Sequence, residues 1–150
     1  MVYITENAEQ TESVGRLLAQ KLDGEKVKRA FIALRGEMGV GKTAFTRGFA
    51  SYFGISGIKS PTYTVVNEHR GKVSIYHFDM YRIESEDDLY SIGFDDYIEK
   101  DGYALVEWSE NIEDFLPSGY ITVTVSRVED CENKRKIEIC SDGKYDNIGI

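Results

Sequence analysis

Gly36, Gly39, Gly41, Lys42 and Thr43 fall within one octapeptide, Gly36-Glu37-Met38-Gly39-Val40-Gly41-Lys42-Thr43, which fills every fixed position of G-x-x-x-x-G-K-[ST]. That spacing does one kind of chemistry. Glycines let successive backbone N–H groups, those of Glu37, Met38 and Val40 included, converge on a phosphate, and a following helix adds the positive end of its dipole. The lysine reaches the β- and γ-phosphates and the threonine hydroxyl ligates Mg²⁺.

Such a loop needs a carboxylate to complete the metal site. Two apolar segments end in one: 73–79, closing on Asp79, and 103–107, closing on Glu107. The ordinary reading of an acid at a strand end is a turn residue. Downstream of a phosphate loop, each is a candidate for Mg²⁺ or for the attacking water, and either could be the closer metal ligand. One can hold the metal while the other orients or polarises water. Thr62, after Ser60-Pro61, is a candidate switch residue or a plain turn threonine. Arg82, three residues past Asp79, could neutralise phosphate charge. Trp108, beside Glu107, is either core packing or an aromatic platform near the nucleotide.

The elements that must position these groups are legible. Residues 30–34 read as a buried strand entering the loop, and 44–53 as the helix leaving it, stopped by Gly54. An amphipathic helix opens the chain, capped by Asn7 with Gln10 three residues on, its stripe made of Val14, Leu17, Leu18 and Leu22, and Asp23-Gly24 ends it. Residues 62–68 and 73–79 pair as an antiparallel hairpin with a turn at 69–72. Residues 83–100 form one or two short helices around Gly93; strands follow at 103–106, 120–125 and 136–140. Interleaved helices and strands predict an α/β fold, a P-loop NTPase-like three-layer sandwich with a central mixed β-sheet, over a single domain spanning 1–150.

Charge narrows the partners. With 18 Lys and Arg against 26 Asp and Glu, the chain carries −8, and its one basic cluster, Asn133-Lys134-Arg135-Lys136, is too small for autonomous nucleic-acid binding. That cluster reads as a solvated turn or strand edge between Cys131 and Cys140, which could face each other across a hairpin but in a cytoplasmic chain default to free thiols. It also begins like the Asn-Lys-x-Asp element that reads guanine and lacks its carboxylate, which tilts the nucleotide toward ATP. The acidic run from 84 to 101, in which Lys100 is the only Lys or Arg, is a solvated face or a docking surface for a basic partner. No signal peptide or membrane-spanning run is visible, so cytoplasm is expected.

Four segments in order carry a resemblance: the octapeptide; Ser60-Pro61-Thr62-Tyr63-Thr64-Val65-Val66-Asn67-Glu68; His77-Phe78-Asp79-Met80-Tyr81-Arg82; and Leu105-Val106-Glu107-Trp108-Ser109-Glu110. Together they resemble the bacterial TsaE (YjeE) family, P-loop ATPases of tRNA threonylcarbamoyladenosine biosynthesis. The resemblance implies ATP and Mg²⁺ as ligands, and partners in the TsaD and TsaB proteins. That pair forms the transferase that modifies adenosine 37 of tRNAs reading codons that start with A, so tRNA is met only indirectly. It implies that Lys42 and Thr43 hold phosphate and Mg²⁺, that Thr62 belongs to a switch-like loop, that Asp79 is the metal-proximal acid, that Glu107 supports hydrolysis, and that Trp108 sits near the nucleotide. Residues from 120 onward carry no motif.

Two other readings fit the motifs. A kinase would use Asp79 or Glu107 as base toward a substrate hydroxyl, although 150 residues leave little room for an acceptor pocket or lid. A nucleotide-gated adaptor would bind ATP with hydrolysis incidental.

Overall fold

The computed structural model describes every residue except 62, 63, 146, 147 and 150. Seven strands, β1 (Val2–Thr5), β2 (Arg29–Arg35), β3 (Val66–Arg70), β4 (Ser74–Asp79), β5 (Gly102–Glu107), β6 (Ile121–Val128) and β7 (Cys131–Ser141), make one sheet in the order β1-β7-β6-β2-β5-β4-β3. The inner strands β6, β2, β5 and β4 are mutually parallel, and antiparallel strands flank them on both sides. The fold is therefore the mixed-sheet α/β architecture expected. Parallel strands covered on both faces read as continuous apolar runs, and every residue of β5 is buried.

Helices α1 (Ala8–Gly24) and α2 (Lys42–Tyr52) cover one face of the sheet. Leu18, Leu22, Phe45 and Phe49 pack there on Ile32, Leu34, Leu105 and Val123. The short helices α3 (Glu86–Ser91) and α4 (Phe94–Glu99) cover the other face, where Leu89 and Phe94 meet Phe31, Phe78 and Val106. Alternation along the strands explains the sorting: odd residues of β4 and β5 face α1 and α2, even ones face α3 and α4.

The two long helices touch backbone to backbone. A β-carbon at Gly48 would lie 1.8 Å from the Glu12 carbonyl oxygen, and one at Gly15 would lie 2.2 Å from that of Phe45. The α1 cap is as expected: Asn7 Oδ1 accepts from the Gln10 N–H at 2.9 Å, while Gln10 Oε1 reaches back to the Glu6 N–H.

Several boundaries differ from expectation. Strand β1 precedes α1 and has too few residues to show a period; it is held by pairing with β7. Helix α2 starts at Lys42, not at 44, because the loop's last residues already adopt helical geometry. In the hairpin, β3 begins at Val66 and continues through Arg70; Val65 has φ 66°, which ends strand geometry before it. The basic cluster is not a turn but the middle of β7, where Arg127 pairs with Arg135; the chain turns at Glu129 and Asp130, the latter with φ 61°. Cys131 and Cys140 accordingly lie on one strand, nine residues or about 30 Å apart, and both are free thiols. Among the described residues no helix is long and apolar enough to cross a membrane.

Candidate functional site

The loop joins the central strand β2 to α2 at the carboxyl edge of the parallel strands, where open α/β sheets bind ligands. Its glycines are conformationally required. Gly36, Gly39 and Gly41 have φ of 141°, 73° and 121°, and a β-carbon on Gly36 would meet the Val125 carbonyl oxygen at 2.3 Å. Val40 is buried and anchors the loop, while Glu37 and Met38 are exposed, Met38 on the rim of the cavity described below.

Helix α2 differs from the other α-helices at its start. Asn7 caps α1 and Ser85 caps α3 with side-chain oxygens; glycines begin α2 and α4 without one, and of these two only α2 has no acid in its first turn. The first-turn N–H groups of α2 thus lack a side-chain acceptor, and nothing anionic competes for the dipole. The Lys42 ammonium donates to the Gly36 carbonyl at 2.7 Å and lies 4.9 Å from the centre of the Trp108 ring.

Asp79 and Glu107 end neighbouring parallel strands as direct partners in register. They project on the same face, the one bearing α2, and both are buried. Asp79 Oδ1 accepts from the Tyr81 N–H at 2.9 Å, turning the chain out of β4. Glu107 Oε2 is 2.7 Å from His77 Nε2, and its carbonyl accepts from the Met80 N–H. Trp108 then takes φ 58°, a left-handed conformation uncommon for a bulky residue. It lays its ring beside Tyr81, 5.0 Å between centroids. Strain of this kind clusters at functional sites.

Loop, acids and Trp108 line one cavity of about 900 Å³. Lys42, Thr43, Asp79, Glu107, Trp108 and Arg82 all border it, as does Ser60. Thr62 lies outside the described residues. The cavity also runs to Glu6, Asn7 and Thr11 at the start of α1 and to Asn133 and Arg135 on β7, none of which was expected to border the phosphate-binding motif. Arg135 holds the loop itself, its Nε donating to the Val40 carbonyl at 2.8 Å; only the β7 register reveals that reach. No cluster of three or more His, Cys, Asp or Glu among the described residues could cage a metal ion. A hydroxyl and one or two carboxylates suit Mg²⁺, which takes its remaining ligands from phosphate and water.

The family described as "Threonylcarbamoyl adenosine biosynthesis protein TsaE" matches residues 5–137 of this chain. The chain belongs to the TsaE family. A TsaE protein of Bacillus subtilis (strain 168) is 37% identical over 132 residues, covering 87% of this chain and 80% of its own. One of Haemophilus influenzae is 40% identical over 120 residues, covering 78% of this chain and 75% of its own. The crystal structure of Bacillus subtilis YdiB superposes with a TM-score of 0.75 at 31% identity, covering 95% of this chain and 84% of that one. The matched region of this TsaE-family chain contains the loop, both strand-end acids, Trp108 and Arg135, so the whole cavity falls inside it.

Proposed function

We propose that this chain is a Mg²⁺-dependent P-loop ATPase of the cytoplasm, required for forming the threonylcarbamoyl group on adenosine 37 of tRNAs reading codons that start with A. It acts on the TsaD–TsaB transferase, turns over weakly alone and is activated by that pair. The observation that carries the reading is the opposition of an uncapped α2 N-terminus to two buried carboxylates in register, all on one cavity. An anion-attracting end facing an acid pair suits a phosphate chain that arrives with a divalent cation.

In this reading the loop N–H groups and Lys42 bind the β- and γ-phosphates, and Lys42 exchanges the Gly36 carbonyl for phosphate oxygen. The Thr43 hydroxyl and Asp79 would hold Mg²⁺, which would supply positive charge to offset that of the phosphate oxygens. Glu107, one strand over, orients the water for in-line attack on the γ-phosphorus, and Trp108 screens the site. Thr62 serves the switch-like loop after Ser60 and Pro61. The acidic balance, −8, agrees with partners that handle the tRNA while this chain meets it only through them.

The deciding measurement is MgATP hydrolysis by the purified chain, alone and with the TsaD–TsaB pair. Strong stimulation by the pair, abolished by Lys42→Ala, is expected. Turnover indifferent to the pair would detach the chain from the transferase and favour a kinase.

A further inference from the structure

We propose that His77 is the positioning residue of the site: its imidazole fixes the carboxylate of Glu107 in the orientation that hydrolysis requires. The proposal rests on the ATPase reading above for its kinetic consequences, though not for the pairing itself.

His77 is fully buried on β4, two residues before Asp79 and on the same face of the sheet. Its register partner on β5 is Leu105, and Glu107 stands two residues further along that face. Among the described residues the one polar contact of the ring is Nε2 to Glu107 Oε2 at 2.7 Å, while Nδ1 is buried without a hydrogen-bond partner. Along β4 and on the β5 side its neighbours are apolar, Ile75, Tyr103 and Leu105 belonging to the core packed under α1 and α2, while on the β3 side its register partner is Asn67 and His69 lies two residues further along.

An imidazole retained only to fill space gains nothing here over leucine. It leaves one ring nitrogen unsatisfied in the interior, which costs about 1–3 kcal/mol. What it gains is the single bond to Glu107. A carboxylate accepts, so in this pairing Nε2 is the donor. That charge-assisted bond is short and directional. A glutamate side chain has three torsions to settle, and binding one oxygen to a ring locked in the core settles them together. The other oxygen is left to serve the cavity that Glu107 borders. Asp79 needs no such device: its shorter side chain is fixed by the Tyr81 N–H. The strand pair thus delivers two acids with separate supports, one from backbone and one from a buried ring.

The test uses the full chain, with the TsaD–TsaB pair present for turnover. His77→Leu keeps the volume and burial and removes the donor. It is expected to lower kcat about tenfold to a hundredfold while KM for ATP stays within about threefold, as misplacing a catalytic group does. His77→Gln, whose amide can donate to the same carboxylate, is expected to recover most of the loss. In a Glu107→Gln background, His77→Leu should cost nothing further, since residues acting as a unit are not additive.

Wild-type kcat in His77→Leu, or an equal loss in both backgrounds, would overturn the proposal. The chain has only two histidines, so imidazole ¹⁵N resonances provide a readout independent of turnover. Glu107→Gln should move the His77 Nε2 resonance, and if it does not, the pairing is wrong. If His77→Leu fails to fold, His77→Gln and the ¹⁵N spectrum decide. A wild-type chain that hydrolyses no ATP with the pair present, yet shows the ¹⁵N shift, refutes the ATPase reading and leaves the pairing standing.

Discussion

The Lys42 ammonium donates to the Gly36 carbonyl oxygen at 2.7 Å, so the first and seventh residues of the phosphate loop are tied to each other. The lysine is held by the loop's own backbone and by the face of Trp108, and in the proposed function it trades that carbonyl for phosphate. Lys42→Ala is expected to weaken MgATP binding at least about tenfold and to lower hydrolysis about a hundredfold or more. Its thermal cost should be small, about 1 kcal/mol for one hydrogen bond. Isothermal titration, steady-state kinetics and a melting curve check the three together.

Trp108 is the only tryptophan, and its ring lies between Lys42 and Tyr81. Nucleotide binding that draws Lys42 toward phosphate must change the field over the indole. Intrinsic fluorescence should therefore respond saturably to MgATP and MgADP. Lys42→Ala is expected to abolish the response at concentrations that saturate the wild-type chain.

Asp79→Asn keeps an oxygen for the Tyr81 N–H and removes the charge. The fold should persist, with a melting temperature within a few degrees of the parent. Hydrolysis should fall about a hundredfold, and the Mg²⁺ concentration for half-maximal turnover should rise. A Mg²⁺ titration of both proteins decides it. Glu107→Gln is expected to lower turnover while leaving nucleotide affinity within about threefold, the pattern of a group acting in the transition state.

At the crossing of α1 and α2 there is no room for a methyl group on Gly48, because its carbon would sit 1.8 Å from the Glu12 carbonyl oxygen. Gly48→Ala is expected to destabilise by about 3 kcal/mol or more, since the contact is with backbone and cannot be relieved by a rotamer change. Denaturant unfolding would read it. An alanine at Gly24, which has open space around it, is the matched control and should be near neutral.

Burial, aided by the charge of Asp23, pushes the Tyr103 phenol up to about 12. Its hydroxyl donates to the Val27 carbonyl. The unfolded chain releases this proton near pH 10 and the folded one only near 12, so the folded state binds more protons in between. Stability from this group is complete below about pH 10 and is lost as pH rises through 12, amounting to about 2 to 3 kcal/mol. Alkaline unfolding followed by phenolate absorbance should show the loss, reduced in Tyr103→Phe.

The loop was legible because its backbone geometry fixes residue types at adjacent positions. Glycines with φ near 73° to 141° and a Lys-Thr pair leave a pattern that no other local structure needs. The strand-end acids were legible as a pair of possibilities, since each follows an apolar run of strand length. Their roles were not: only the β4–β5 register sets Asp79 opposite Glu107. His77 showed in the sequence only as part of a motif, because nothing local marks its imidazole as bound to a carboxylate thirty residues away.

The basic cluster shows the opposite outcome. Read locally, Asn133, Lys134, Arg135 and Lys136 look like a solvated turn or strand edge. Pairing with β6 and β1 makes them strand, parts the two cysteines along it and brings Arg135 onto the Val40 carbonyl.

The glycine-rich loop, the elements flanking it and the α/β class could thus be read from the sequence, because all of them arise from short-range pattern: backbone conformation, capping and apolar period. The tertiary structure alone decided which acids meet, which ring supports Glu107 and which arginine braces the loop. Those depend on register between strands far apart in the chain, and register is set by the burial of whole faces, not by the residues that use it.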